Sequence, residues 1–189
     1  MNAPEAREQL DIVDRILAYA DETCGLSPTP FIVWGITGAV LNCVAQLIIF
    51  HTAPQSIAIL AIAALLAAIV WTIVWVRRLR GSADRQTLLD RQIFVAFTIA
   101  WIVALVVQLG AFQIFTQWAQ AAIWSVMEGA AMLSVGVLAR NRPVLGGGVI
   151  LLLSVVAANF AVGIPGFLLA IGDLIGMAGA GVLLYAGRR

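Results

Sequence analysis

Long apolar runs alternate with short polar segments along this chain, and the alternation predicts its fold. Six runs are long enough to cross roughly 30 Å of hydrocarbon as helices. They lie near residues 30–50, 56–76, 93–115, 119–139, 144–163 and 166–186. The five prolines from position 28 onward stand in loops or where a run begins, where a missing N–H is tolerated. The pattern therefore predicts an all-α membrane protein, a bundle of six transmembrane helices.

The basic residues mark one side of this predicted bundle. All eleven are arginines, and they occur in the N-terminal segment, between the second and third runs, between the fourth and fifth, and at the C-terminus. The other loops carry no charge. Because cytoplasmic loops are enriched in Lys and Arg, both termini are predicted to be cytoplasmic. The first 28 residues lack the apolar core of a secretory signal peptide, and we expect a multi-pass protein of the bacterial inner membrane.

Composition agrees with this assignment. The chain is 62% hydrophobic and 11% charged, whereas a soluble domain has about one quarter charged residues. The net charge of +1 gives no indication of a nucleic-acid partner. The expected partners are the lipid bilayer and either a second copy of the chain or another membrane protein.

Residues 1–28 are predicted to form a cytoplasmic amphipathic helix, over residues 4–20, and a linker to the six-span domain at 29–189. Residues 5–22 contain six acids and two arginines, whereas the predicted cytoplasmic loop 77–92 contains five arginines and two aspartates. Two interpretations remain open. In the first, which we favour, both segments are solvated and the arginines lie near anionic headgroups. In the second, the acidic helix docks on the basic loop. The candidate contact residues are Arg77, Arg78, Arg80 and Arg85.

A layer of polar residues is predicted inside the bundle. Glu128 and Asp173 fall well within the fourth and sixth runs, and Asn42 and Gln108 fall at similar depth on the first and third. A buried acid is costly unless it is neutral or paired, and no basic residue stands at this level, so we expect both acids to be protonated. The layer is either polar glue between helices or a site for a proton, a cation or a polar solute. The first reading is favoured.

The positions of the tryptophans agree with the predicted transmembrane helices. Trp34, Trp71 and Trp75 fall near the predicted cytoplasmic ends of helices, as interfacial anchors do. Trp101 and Trp124 lie deeper, and we expect them to pack against other helices. Ligand stacking is the less favoured alternative.

Small residues recur every four positions in two stripes, and such stripes let helices approach closely. We expect packing within the bundle rather than between protomers. The stripes are Gly172, Gly176 and Ala180, and Ala121, Ser125 and Gly129.

The sequence lacks the residues that several kinds of cofactor site and catalytic site require. The single histidine, His51, cannot supply a bis-histidine haem site or a histidine-rich metal cluster. The absence of lysine excludes a retinal Schiff base, and no nucleotide fingerprint or nucleophile–base constellation appears. We therefore expect no cofactor, no metal and no enzymatic activity.

Short landmarks along most of the chain resemble those of a family of bacterial six-span membrane proteins with no established activity. They are the N-terminal amphipathic helix, Trp34-Gly35, Asp90-Arg91, Gly136-Val137-Leu138, Arg142-Pro143 and Gly147-Gly148. The resemblance implies the six-span architecture and no catalytic residues. Because members are often encoded near winged-helix regulators, it also implies a sensing or signalling role. Glu128 is not among the family's landmarks.

Two functional hypotheses follow from the sequence. The leading one is a non-enzymatic membrane protein that acts through protein interactions, with the cytoplasmic helix and basic loop as its contact surface. The alternative is a small transporter or channel built on the polar layer. A continuous, water-accessible cavity that reaches Glu128 and Asp173 would favour the alternative, and a dry, closed bundle would favour the leading hypothesis.

Overall fold

The regular secondary structure in the described part of the chain is entirely helical. A computed structural model describes residues 26–80, 88–110 and 117–187, and no strand occurs among them. The helices are α1 (Pro28–Ile49), α2 (Ala58–Arg80), α3 (Leu88–Gly110), α4 (Gln117–Leu138), α5 (Arg142–Phe160) and α6 (Pro165–Ala186), and a 3₁₀ turn at Gln55–Ile57 leads into α2. The all-α prediction is confirmed for these residues. The predicted amphipathic helix over 4–20 lies outside them.

Within the described residues, five of these helices are long and apolar enough to span a membrane, namely α1, α2, α4, α5 and α6. In α3 the apolar stretch found among the described residues is Phe97–Gly110. A sixth span, predicted to continue to residue 115, runs into residues outside the described part. The coarser prediction of several apolar membrane-length helices is confirmed, and the sixth span stays a prediction.

The segment predicted as the basic loop 77–92 is helical at both ends. α2 continues through Arg77 and Arg78 to Arg80, and α3 already begins at Leu88. Arginine and leucine are good helix formers, and a charged side chain at a helix end extends into water without breaking the helix. Arg85 lies between these helices, outside the described residues.

Glycines bring α4, α5 and α6 into close contact. On α5, Gly147 meets the carbonyl oxygen of Gly176 on α6, and a Cβ added at Gly148 would lie 2.9 Å from the carbonyl oxygen of Gly129 on α4. Gly172 on α6 meets Ser154 on α5. Both predicted stripes of small residues therefore contribute to packing on α5 within the chain.

α1 packs along α6 on the other side of this core. Gly35 approaches the carbonyl oxygen of Asp173, where a Cβ would lie 2.9 Å away, and Gly181 meets the first turn of α1 with a Cβ 2.8 Å from the carbonyl oxygen of Pro28. The fully buried side chains at the centre of the bundle include Met132, Val135, Val144 and Leu151.

α2 lies at the periphery and exposes most of its apolar surface. Apolar side chains along it are more than half exposed, namely Ile59, Leu60, Ile62, Leu66 and Val70. A soluble monomer rarely exposes a contiguous apolar patch of this kind. It is the surface expected of a helix that faces lipid.

Candidate functional site

A buried polar centre joins α1 to α6. The Asn42 side-chain amide donates a hydrogen bond of 2.8 Å to Oδ2 of Asp173, whose side chain is 1% exposed. Gly38, one turn earlier on α1, leaves room for the carboxyl, since a Cβ there would lie 2.7 Å from Oδ2. Asn42 and Asp173, the predicted polar residues of α1 and α6, are therefore hydrogen-bonded to each other.

The second carboxyl oxygen of Asp173, Oδ1, differs from Oδ2 in its hydrogen bonding. Oδ1 is buried and has no hydrogen-bond partner in the described part of the chain. A buried polar atom without a partner is uncommon, because its lost hydration is not replaced. The polar centre is thus satisfied on one side only.

Glu128 on α4 completes the acidic part of this centre. Its side chain is 9% exposed, and its carboxyl is close enough to that of Asp173 for electrostatic interaction. The thiol of Cys43 on α1 is also close enough to Asp173 for electrostatic interaction. The structure therefore brings together three of the four residues of the predicted polar layer.

A π-helical segment positions Asp173. α6 widens from the α-helical to the π-helical hydrogen-bonding pattern over Asp173–Ala178 and returns to an α-helix at Gly179. Such segments are rare, and they are frequent at functional sites. The sequence pattern does not predict this segment, because no proline marks the place. The glycine triplet 146–148, near the start of the fifth predicted span, lies inside the regular α5, and its Gly147 and Gly148 serve close helix packing.

Gln108, the fourth residue of the predicted layer, has another partner. Its side-chain carbonyl oxygen accepts a hydrogen bond of 2.6 Å from the indole N–H of Trp124. This bond links α3 to α4. Gln108 therefore holds an aromatic ring in place, and no contact joins it to the two acids among those that the structure describes.

Gln46 is a buried polar residue that the sequence analysis did not single out. Its side chain donates to the carbonyl oxygen of Gly163 and accepts from the N–H of Gly166, both at 2.7 Å. It thereby fixes the turn from which α6 begins, where Gly163 adopts a positive φ of 86°. Its position four residues after Asn42 on one face of α1 could have indicated it.

A cavity of about 550 Å³, open on one side where Ile102 and Leu105 are exposed, lies between α1, α2, α3, α4 and α6. Its walls are almost entirely apolar, and they include five of the six tryptophans of the chain. The aromatic residues that line it are Phe31, Trp34, Trp71, Trp75, Phe97, Trp101 and Trp124. We call it the tryptophan cavity.

Ring contacts and hydrogen bonds hold its walls in place. Trp101 stands edge to face with Trp34 and with Trp124, with ring centroids 4.4 and 5.5 Å apart. The indole N–H of Trp34 donates to the hydroxyl of Thr72 on α2 at 3.2 Å. With the Trp124–Gln108 bond, these contacts connect the four helices α1 to α4 around the cavity.

The tryptophan cavity adjoins the acidic centre along two helices. Trp124 precedes Glu128 by four residues on α4, and Met177, which also lines the cavity, follows Asp173 by four residues on α6. Residues at this spacing lie above one another on one face of a helix. The cavity therefore extends to within about one turn of each acid, although neither carboxyl belongs to its lining.

A second cavity, of about 340 Å³, lies between α3, α4, α5 and α6. Ile123 and Val107 line it, and they neighbour Trp124 and Gln108 in the chain.

The predicted cytoplasmic contact is described only in part. Arg77 and Arg78 are exposed near the end of α2, and Arg80 is its last residue. Arg85 and the acidic segment 5–22 lie outside the described residues, so docking between the two stays a prediction.

No protein family, curated protein or solved structure matches this chain. The resemblance to a bacterial six-span family stays a prediction. Function must therefore be argued from the residues of the chain itself.

The sequence did not predict the tryptophan cavity, and ligand stacking was a less favoured alternative for Trp101 and Trp124 only. Trp71 and Trp75, and likewise Phe97 and Trp101, stand four residues apart and therefore on one face of their helices. That spacing is the signal that could have indicated aromatic walls. It could not indicate that the faces of four helices turn toward one space.

Proposed function

We propose that this chain is an integral protein of the bacterial inner membrane, with six spans and both termini cytoplasmic, that binds a small hydrophobic ligand within its helical bundle. It acts as a membrane carrier or receptor for that ligand, without enzymatic activity. The observation that carries the proposal is the tryptophan cavity, which is lined mainly by apolar residues and lies beside the polar layer without including the carboxyls of Glu128 and Asp173.

The size and lining of the cavity support ligand binding. Its volume of about 550 Å³ falls in the range of roughly 300–1,000 Å³ that is usual for small-molecule pockets. Ligand pockets are lined mainly by apolar and aromatic side chains with a few polar groups. Here Thr72 and Ser27 are among the few polar residues in the wall.

The ordering of the rings is a second support. Trp34 and Trp124 have their indole N–H groups engaged with Thr72 and Gln108. Large rings that are fixed by hydrogen bonds do not collapse into the space between them, and a preformed cavity lowers the entropic cost of binding.

A role in protein contacts remains a second proposal. It is supported by the exposed Arg77 and Arg78 near the end of α2, where an acidic partner surface would find complementary charge. This role and ligand binding use different parts of the chain, and a carrier or receptor can have both.

Ligand binding can be tested with N-phenyl-1-naphthylamine, a neutral aromatic probe that accepts excitation energy from tryptophan. With the purified protein in lipid nanodiscs, we expect saturable energy transfer. Leu105→Trp should weaken the saturable part, because Leu105 lines the cavity and the larger ring takes up part of its volume. Leu109→Trp is the matched control, since Leu109 is on the same helix, one turn further, and is 71% exposed. Transfer that never saturates, or that survives equally in both variants, would refute the proposal.

A further inference from the structure

We infer that the ligand of the tryptophan cavity is a hydrophobic organic cation, whose positive charge is balanced by the Glu128–Asp173 centre. This inference rests on the proposed function and specifies its substrate class. It follows from the sign of the buried charges, from the incomplete partnering of Asp173 and from the aromatic walls.

The buried ionisable groups near the cavity all have the same sign. Among the described residues, the only charged side chains buried in the bundle are Glu128 and Asp173. The arginines whose side chains are described, Arg77, Arg78, Arg140 and Arg142, are exposed at helix ends. No buried basic residue in the described part of the chain therefore compensates the two acids, and a bound cation would do so.

Asp173 has a carboxyl oxygen available to balance the charge of a bound cation. Asn42 occupies Oδ2, while Oδ1 is buried without a partner. A positive charge in the neighbouring cavity stabilises the ionised form of such a group, because attraction between charges is strong where water is excluded. Binding of the cation and ionisation of one carboxyl thus favour each other.

The walls of the cavity suit a cation of a particular kind. The face of an indole ring carries negative potential, and tryptophan is the best aromatic partner for a cation. Trp124 carries such a ring about one turn before Glu128 on α4, and Trp101 lies against it with ring centroids 5.5 Å apart. The lining has too few polar groups to replace the hydration shell of a metal ion or a small ammonium ion. A cation whose charge is shielded by apolar groups, or delocalised over them, is attracted to the indole faces and has no tightly bound hydration shell to lose.

The distance between the acids and the cavity sets the expected selectivity. Because neither carboxyl lines the cavity, the charges interact through the low-dielectric interior and form no direct ion pair. The site should therefore discriminate by the sign of the charge more than by the detailed shape of the ligand.

Two ions of the same shape and opposite charge test the inference, namely tetraphenylphosphonium and tetraphenylborate. By calorimetry on the nanodisc-embedded protein, after subtraction of binding to empty nanodiscs, we expect at least about tenfold tighter binding of the phosphonium. Equal affinity for both ions would overturn the inference and leave the proposed function intact. Saturable binding of neither ion, nor of the neutral probe, would refute the proposed function itself.

Variants of the acids give the second arm of the test. Glu128→Gln and Asp173→Asn keep a polar side chain and remove the negative charge, so each should weaken phosphonium binding by roughly tenfold and leave borate binding unchanged or tighter. Leu109→Trp should change neither affinity. If Asp173→Asn fails to fold because the bond with Asn42 is altered, Glu128→Gln decides alone. Parental phosphonium affinity in Glu128→Gln would contradict the inference.

Discussion

The side-chain amide of Asn42 donates a 2.8 Å hydrogen bond to the carboxyl of Asp173 across 131 positions of the chain. The bond joins the middle of α1 to the first residue of the π-helical segment of α6. It places a buried acid, with one oxygen unpartnered, beside the helix that also supplies Phe31 and Trp34 to the tryptophan cavity. The polar centre and the cavity are thus built on shared helices.

The Asn42–Asp173 bond should contribute measurably to stability. Asn42→Leu leaves the buried carboxyl without its donor, and we expect it to lower the free energy of unfolding by about 1–3 kcal/mol. The measurement is reversible unfolding of the purified protein in mixed micelles. In an Asp173→Leu background the same change should have little effect, because the partner is already lost. Additive losses in the double variant would mean that the bond contributes nothing.

Gly38 is expected to be needed for the position of the carboxyl. Gly38→Ala puts a Cβ within 2.7 Å of Oδ2 of Asp173, and overpacking of this kind costs about 1–3 kcal/mol. Gly179→Ala is the control, since its Cβ would meet only a carbonyl oxygen at 3.6 Å. There alanine should be neutral or stabilising by up to about 1 kcal/mol, because it is the better helix former. Thermal unfolding of the two variants distinguishes them, and equal midpoints would contradict the packing described for Gly38.

Two adjacent glycines on α5 should behave in opposite ways. A Cβ at Gly147 would collide with the backbone of α6 at Gly176, whereas a Cβ at Gly146 would meet nothing within 4 Å. We therefore expect Gly147→Ala to separate α5 from α6 and lower stability by more than about 1 kcal/mol, with Gly146→Ala harmless. Size-exclusion profiles and unfolding midpoints would show the difference. A tolerated Gly147→Ala would mean that the two helices do not approach as described.

The orientation predicted from the arginines can be tested by cysteine labelling. In a background with Cys24 and Cys43 replaced by serine, cysteines at Gln55 and Ile164 should react with an impermeant thiol reagent added to intact cells. A cysteine at Asn141, the N-cap residue of α5, should react only after the cells are opened. The reason is the enrichment of arginine in cytoplasmic segments. Labelling of Asn141→Cys in intact cells would reverse the orientation.

The sequence by itself determined the helices. Apolar runs of membrane length, with prolines at their beginnings, give helical segments because an apolar environment leaves the backbone no hydrogen-bond partners outside the helix. Positions of the small residues, four apart along α4 and α6, likewise indicated faces that approach another helix closely. The burial of Glu128 and Asp173 could also be expected, because each lies within a long apolar run of residues.

The tertiary structure alone decided which side chains meet. The sequence placed Gln108 at the depth of the acids, but Gln108 accepts a hydrogen bond from Trp124, and the tryptophans predicted to anchor separate helix ends line one cavity. Depth along a helix follows from a rise of about 1.5 Å per residue and can be counted. The direction in which a side chain points depends on the rotation of each helix about its axis, and packing against neighbouring helices sets that rotation. The π-helical segment at Asp173 adds a further local rotation of α6 that no residue pattern announces.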